Sequence, residues 1–147
     1  MSTDNNDRKD PMYNSTAMNQ YKQVGTQAAI ETADPHTLVR MLIDGAIERI
    51  NKAKYFMLEK DIARKGESIS RAISIIDGLK VSLDTERGDK IAENLAALYD
   101  YMQRQLLAAN VRNQSENLDE VLSLLNEIRS GWAAIPDDVR KSYQPRE

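Results

Sequence analysis

The sequence has 147 residues, no cysteine, a formal net charge of −3 and a pI near 5.3. That length supports one core burying roughly two-thirds of the unfolded surface, and the missing thiols exclude disulfides, thiolate metal sites and cysteine nucleophiles. The acidic balance argues against a broad basic field for nucleic acid or anionic lipid.

The chain opens on MSTDNNDRKDPMYNST, which lacks the apolar core of a secretory signal. No apolar run approaches the roughly 20 residues that span a bilayer, so a cytosolic protein without membrane insertion is expected. Residues 1–19 are rich in Asp, Asn, Ser and Thr and cannot bury enough apolar surface to offset ordering entropy, which predicts a disordered tail. Residues 20–33 carry a sparse apolar set of Tyr21, Val24, Ala28 and Ile30 around Gly25. They are read as a flexible lid or short helix able to cover an apolar strip and leave when a partner arrives.

The four prolines are Pro11, Pro35, Pro136 and Pro145, so no helix breaker interrupts the stretch from Pro35 to Pro136. A first helix is predicted over 34–58, with Asp34 as cap and Pro35 in the first helical position. A second, over 61–83, carries Ile62, Ile69, Ala72, Ile73, Ile76, Leu79 and Leu83 on an arc of roughly 120°. After the polar DTERGD, Ile91, Leu95, Leu98, Met102 and Leu106 define a third over 89–111. After NQSEN, Leu118, Val121, Leu122, Leu125, Ile128 and Trp132 define a fourth over 115–133. Residues 136–147 form a flexible tail. Four helices of similar length joined by short loops predict an all-α, antiparallel up-down four-helix bundle over 34–135.

The residues give little support to catalysis. A di-metal carboxylate bundle needs Glu-x-x-His motifs on two helices, and the single histidine, His36, reads as a solvated helix-end residue. Asp137 and Asp138 are adjacent in a proline-bearing tail with no pocket to separate their pKa values. No glycine-rich phosphate loop is present. Arg64, Lys65, Arg71, Lys80, Arg87 and Lys90 alternate with Glu67, Asp77, Asp84, Glu86 and Asp89, the pattern of a solvated face rather than a nucleic-acid surface. No enzyme, cofactor, metal or nucleic-acid partner is expected.

The first helix is more apolar than a bundle helix needs. On a helical wheel Met41, Leu38, Leu42, Ala46, Ile50, Ile43 and Ile47 span about 240°, against the little over 100° that one buried stripe requires. An uncovered strip is therefore expected, and it would either receive amphipathic segments of a partner or serve as the interface of a homodimeric structural or regulatory bundle. A more central position for this helix is the remaining alternative. Tyr99 and Tyr101 lie to either side of the third helix's stripe, where each can bury a ring and keep its hydroxyl near water. Gly45 on the core-facing side hints at close backbone approach by another element.

Together QYKQVGTQAAIETADP, LVRMLIDGAIERINKAK, ISRAISIIDGLKVSLD, NLAALYDYMQRQLLAANVRN and LDEVLSLLNEIRSGW resemble, in order and spacing over about residues 20–133, the flagellin-specific export chaperones of the FliS family. The resemblance implies a cytosolic bundle that binds the disordered C-terminal segment of flagellin, prevents premature polymerisation and presents the subunit to a flagellar export gate component. It implies no nucleotide or metal; the chain itself is expected to be a monomer or weak homodimer. Wheel and resemblance together assign the flagellin groove to Met41, Leu42, Ile43, Ile47, Leu98, Tyr99, Tyr101, Met102 and Asn110, with Tyr21 and Val24 in the lid. Leu98 and Met102 also lie on the core stripe, so plain packing is their competing role. Ile43 departs from the aromatic usual at that place in the family, and Asp34 from the common serine.

Overall fold

The computed structural model describes residues 35–83 and 90–132. They form four α-helices: α1 Pro35–Leu58, α2 Ile62–Ser82, α3 Lys90–Arg112 and α4 Ser115–Trp132. The ends lie within one residue of the predicted ones. The expected tails 1–19 and 136–147, the lid at 20–33 with Tyr21 and Val24, and the Asp34 cap lie outside the described residues.

Both tight connections are built on left-handed residues. Between α1 and α2, Lys60 takes φ 61°, and the Asp61 amide reaches back to the Phe56 carbonyl at 2.9 Å. This six-to-one bond satisfies an orphan carbonyl at the end of α1. Asp61 then caps α2 by accepting the Arg64 amide at 3.1 Å. Between α3 and α4, Asn113 takes φ 55° and the Gln114 amide bonds the Ala109 carbonyl at 3.2 Å. Asparagine tolerates this conformation better than most residues, which accounts for its place there.

Cross-helix bonds fix the directions. Lys65 near the start of α2 meets Asn110 near the end of α3, while Lys80 near the end of α2 meets Gln103 in the middle of α3. Lys54 on the last turns of α1 pairs with Asp119 on the first turns of α4 at 2.6 Å. Neighbouring helices are therefore antiparallel, and α1 packs against both α2 and α4 while α3 closes the ring between them. This is the all-α, up-down bundle expected from the sequence. Fully buried Ile43, Ile50, Ile69, Ile76, Leu79, Tyr99, Met102, Leu106, Leu118 and Leu125 fill its centre. Ala46, Ala53, Ala72, Ala92 and Ala109 are buried as well and let the helices approach.

At the end away from the two tight turns, α1 and α4 are latched reciprocally. The Trp132 indole N–H donates to the His36 carbonyl at 2.8 Å, and His36 Nε2 lies 3.0 Å from the Trp132 carbonyl. A carbonyl only accepts, so Nε2 carries the proton. The rings stack with centroids 4.9 Å apart. His36 is thus a half-buried tie between two helix ends, not the solvated residue expected from its position.

Three further expectations are corrected. Most of the wide apolar arc of α1 is covered, because in the ring α1 has α2 on one flank and α4 on the other; Leu38, Ile43, Ala46, Ile47 and Ile50 are buried, and Met41 and Leu42 alone in the arc stay half-buried. Lys65, taken as part of a solvated charged face, is buried. Gly45 does not mark a close backbone approach, since a Cβ there would meet only Ile75 Cδ1, at an ordinary 3.6 Å. Gly45→Ala is accordingly expected to raise folding stability by up to about 1 kcal/mol through helix propensity, read as an unchanged slope and a higher midpoint in urea.

Candidate functional site

The apolar side chains that the bundle leaves in solvent gather mainly at the end carrying the two tight turns. Tyr55 and Leu58 end α1, Ile62 opens α2, and Leu107 and Val111 lie on the last turns of α3; of the large exposed apolar residues only Val81, near the end of α2, lies elsewhere among the described residues. Around them the surface folds into a cleft of about 550 Å³ lined by Phe56, Met57, Lys60, Asp61, Ile62, Lys65, Asn110, Val111 and Asn113. The turns explain why it exists. Reversing the chain through Lys60 and through Asn113 ends α1 and α3 at one level and leaves their last apolar residues without a covering helix.

The floor of this cleft is polar and ordered. Lys65 is 5% exposed, and its ammonium donates to the Asn110 carbonyl at 3.2 Å and to Asn113 Oδ1 at 2.9 Å. A cation among the last carbonyls of α3 also meets the negative end of that helix's dipole. On the rim, Asp61 is engaged by the Arg64 amide and by Arg64 Nε at 3.6 Å. The Arg64 guanidinium lies over the Phe56 ring, 5.8 Å from its centre. Below the cleft the α2–α3 seam is shut: the Gln103 amide donates to the Ile73 carbonyl at 3.1 Å, and Lys80 bridges to Gln103 at 3.0 Å and to Asp100 at 3.4 Å. Among the described residues no group of His, Asp and Glu side chains is arranged to hold a metal ion, and no helix is long and apolar enough to cross a membrane.

The residues expected to line a groove fall into four places. Asn110 lines the cleft. Ile43, Ile47, Tyr99 and Met102 are buried in the core. Met41, Leu42 and Leu98 are half-buried on the flanks, Leu42 and Leu98 packed against the core and Leu42 lying close to Gly78. Tyr101 belongs to the α3–α4 seam, where its hydroxyl donates to Glu120 at 2.7 Å and accepts from the Gln105 amide at 2.8 Å. Donation to the Glu120 carboxylate holds the Tyr101 phenol above its ordinary pKa range. Gln105 in turn accepts from the Asn117 amide at 3.1 Å.

The sequence reading assigned none of Phe56, Met57, Ile62, Lys65, Val111 or Asn113 to a site; Ile62, placed there on the buried arc of the second helix, is 75% exposed because it opens α2 beyond the end of α3's cover. The available signal was weak: YFML and ANVRN place apolar residues immediately before polar turns, where nothing downstream on the same helix can cover them.

Residues 17–139 match the model of the family described as flagellar protein FliS. The chain is 46% identical over 125 residues to the flagellar secretion chaperone FliS of Salmonella typhimurium, covering 84% of this chain and 93% of the relative. It is 45% identical over 124 residues to the flagellar secretion chaperone FliSB of Pseudomonas aeruginosa, covering 84% and 98%. The flagellar secretion chaperone FliS of Bacillus subtilis is 32% identical over 115 residues, covering 78% and 85%.

Proposed function

The chain belongs to the FliS family of flagellar proteins, and on that premise we propose that it is a cytosolic export chaperone that binds the disordered C-terminal segment of flagellin, prevents its premature polymerisation and delivers it to the flagellar type III export apparatus. The observation that carries this reading is the turn-end cleft, rimmed by exposed Ile62 and Val111 with Tyr55, Leu58 and Leu107 close by. A patch of large apolar side chains around a concave, partly polar floor is what an amphipathic partner segment needs: burial supplies affinity and the fixed polar groups supply register. A disordered segment orders at the moment it binds, so it can wrap a wide surface at moderate affinity.

Within this proposal the segment seats its anchors in the cleft and continues over the flanks, where Met41, Leu42, Leu98 and Tyr101 keep accessible surface and Asn110 is reached directly. Ile43, Ile47, Tyr99 and Met102 act from beneath by fixing the shape of that surface. Tyr21 and Val24 are proposed to cover part of it before the segment arrives. The self-association reading uses the same apolar residues, and a titration separates the two. Calorimetry of the full chain with a flagellin peptide of about 40 C-terminal residues should give one-to-one binding with a large negative heat-capacity change, as coupled folding and apolar burial require. A folded chain that dimerises and ignores the peptide would overturn the chaperone reading.

A further inference from the structure

The Lys65 ammonium is a buried cation whose two acceptors, the Asn110 carbonyl and Asn113 Oδ1, are both neutral. Among the described residues no carboxylate comes within ion-pair distance of it; Asp61, on the same cleft wall, is turned to Arg64. An ammonium has three donors, and a charge removed from water without a counter-charge is costly. The cleft above it adds Lys60 to the positive side. Its chemistry is thus an apolar pocket of Phe56, Met57, Ile62 and Val111 with net positive charge at its base.

The cleft is also short. About two helical turns below Val111, the Gln103 bond to the Ile73 carbonyl and the Lys80 bridge close the seam between α2 and α3. At its other end stand the two turns at Lys60 and Asn113. A cleft of about 550 Å³ holds only a few residues of a partner, a space that suits the end of a chain.

We propose that this cleft captures the C-terminal end of the bound polypeptide, with the last apolar side chain packed on Phe56, Met57, Ile62 and Val111 and the terminal α-carboxylate paired with Lys65. The inference rests on the reading that the partner is a C-terminal segment and deepens it by assigning where that segment ends. The Asn110 side-chain amide stands beside the same cleft wall, near Gly66, and supplies a neutral donor to the second carboxylate oxygen. Backbone and side-chain donors grouped with a cation are a recurring way of holding a chain terminus.

The test compares two flagellin C-terminal peptides that differ only in ending as a free carboxylate or as an amide, titrated calorimetrically into the full-length chain. The free acid should bind about tenfold more tightly, one charge-assisted contact. In Lys65→Met the difference should shrink to within about twofold, with circular dichroism confirming the fold of the variant. If the two peptides bind the unmodified chain equally well, the terminal-capture proposal is wrong while the chaperone reading stands. If neither binds, both fall.

Discussion

Replacing Tyr99 with alanine is expected to remove about 3–5 kcal/mol of folding stability, the usual effect of emptying a fully buried aromatic site. Tyr99 has no accessible surface and stands in a core shared by all four helices. A domain of this size is stable by only about 5–15 kcal/mol in total, so the variant should unfold at a much lower urea concentration and populate unfolded chain at growth temperature. The distinction bears on function, because Tyr99 was expected at a binding surface. If Tyr99→Ala loses partner binding, the loss should track its unfolding midpoint. A variant that keeps its midpoint and loses binding would return Tyr99 to direct contact.

The helices themselves were legible because their signals are local. Prolines bracket the folded stretch, each helix carries its own apolar period, and polar clusters separate the four periods. What a helical wheel cannot report is how many neighbours a helix has. The wide arc of α1 read as an uncovered strip, yet α1 lies between α2 and α4, which bury most of it and leave Met41 and Leu42 half-buried. The register of α3 was misjudged for a related reason. Its buried stripe runs through Ala92, Tyr99, Met102, Leu106 and Ala109, and alanines carry so little hydrophobic weight that the larger Ile91, Leu95 and Leu98 pulled the predicted centre away from Tyr99.

The site was less legible than the fold. Its apolar residues are exposed because helices stop, which periodicity treats as the margin of the pattern rather than as a feature. Lys65 looked like one member of an alternating charged face, and only the fold brings the end of α3, 45 residues away, over its ammonium. His36 was likewise read from its place on one helix, while its stacking partner Trp132 is 96 residues distant. Asn110, expected in a groove beside the first helix, lines the turn-end cleft, and it is its carbonyl, not its side chain, that accepts from Lys65.

The central claim, that the turn-end cleft is where the flagellin segment docks, is tested most directly by moving the same chemical change from one end of the bundle to the other. Ile62 and Val111 are 75% and 76% exposed and line the cleft on α2 and α3, while Val81 is 71% exposed near the opposite end of α2. Glutamine at these positions keeps the helices and alters no charge, and surface changes of this kind shift stability by only about 0.5 kcal/mol. Burying two aliphatic side chains against a partner contributes about 1.5–3 kcal/mol each at full burial, so losing both should weaken binding by about tenfold or more. The measurement is the dissociation constant of the flagellin C-terminal peptide for Ile62→Gln/Val111→Gln beside Val81→Gln. The account predicts that loss for the first and a value within about twofold of the unmodified chain for the second. Equal affinities for both variants, with the peptide still bound, would contradict it and move the docking surface away from the cleft.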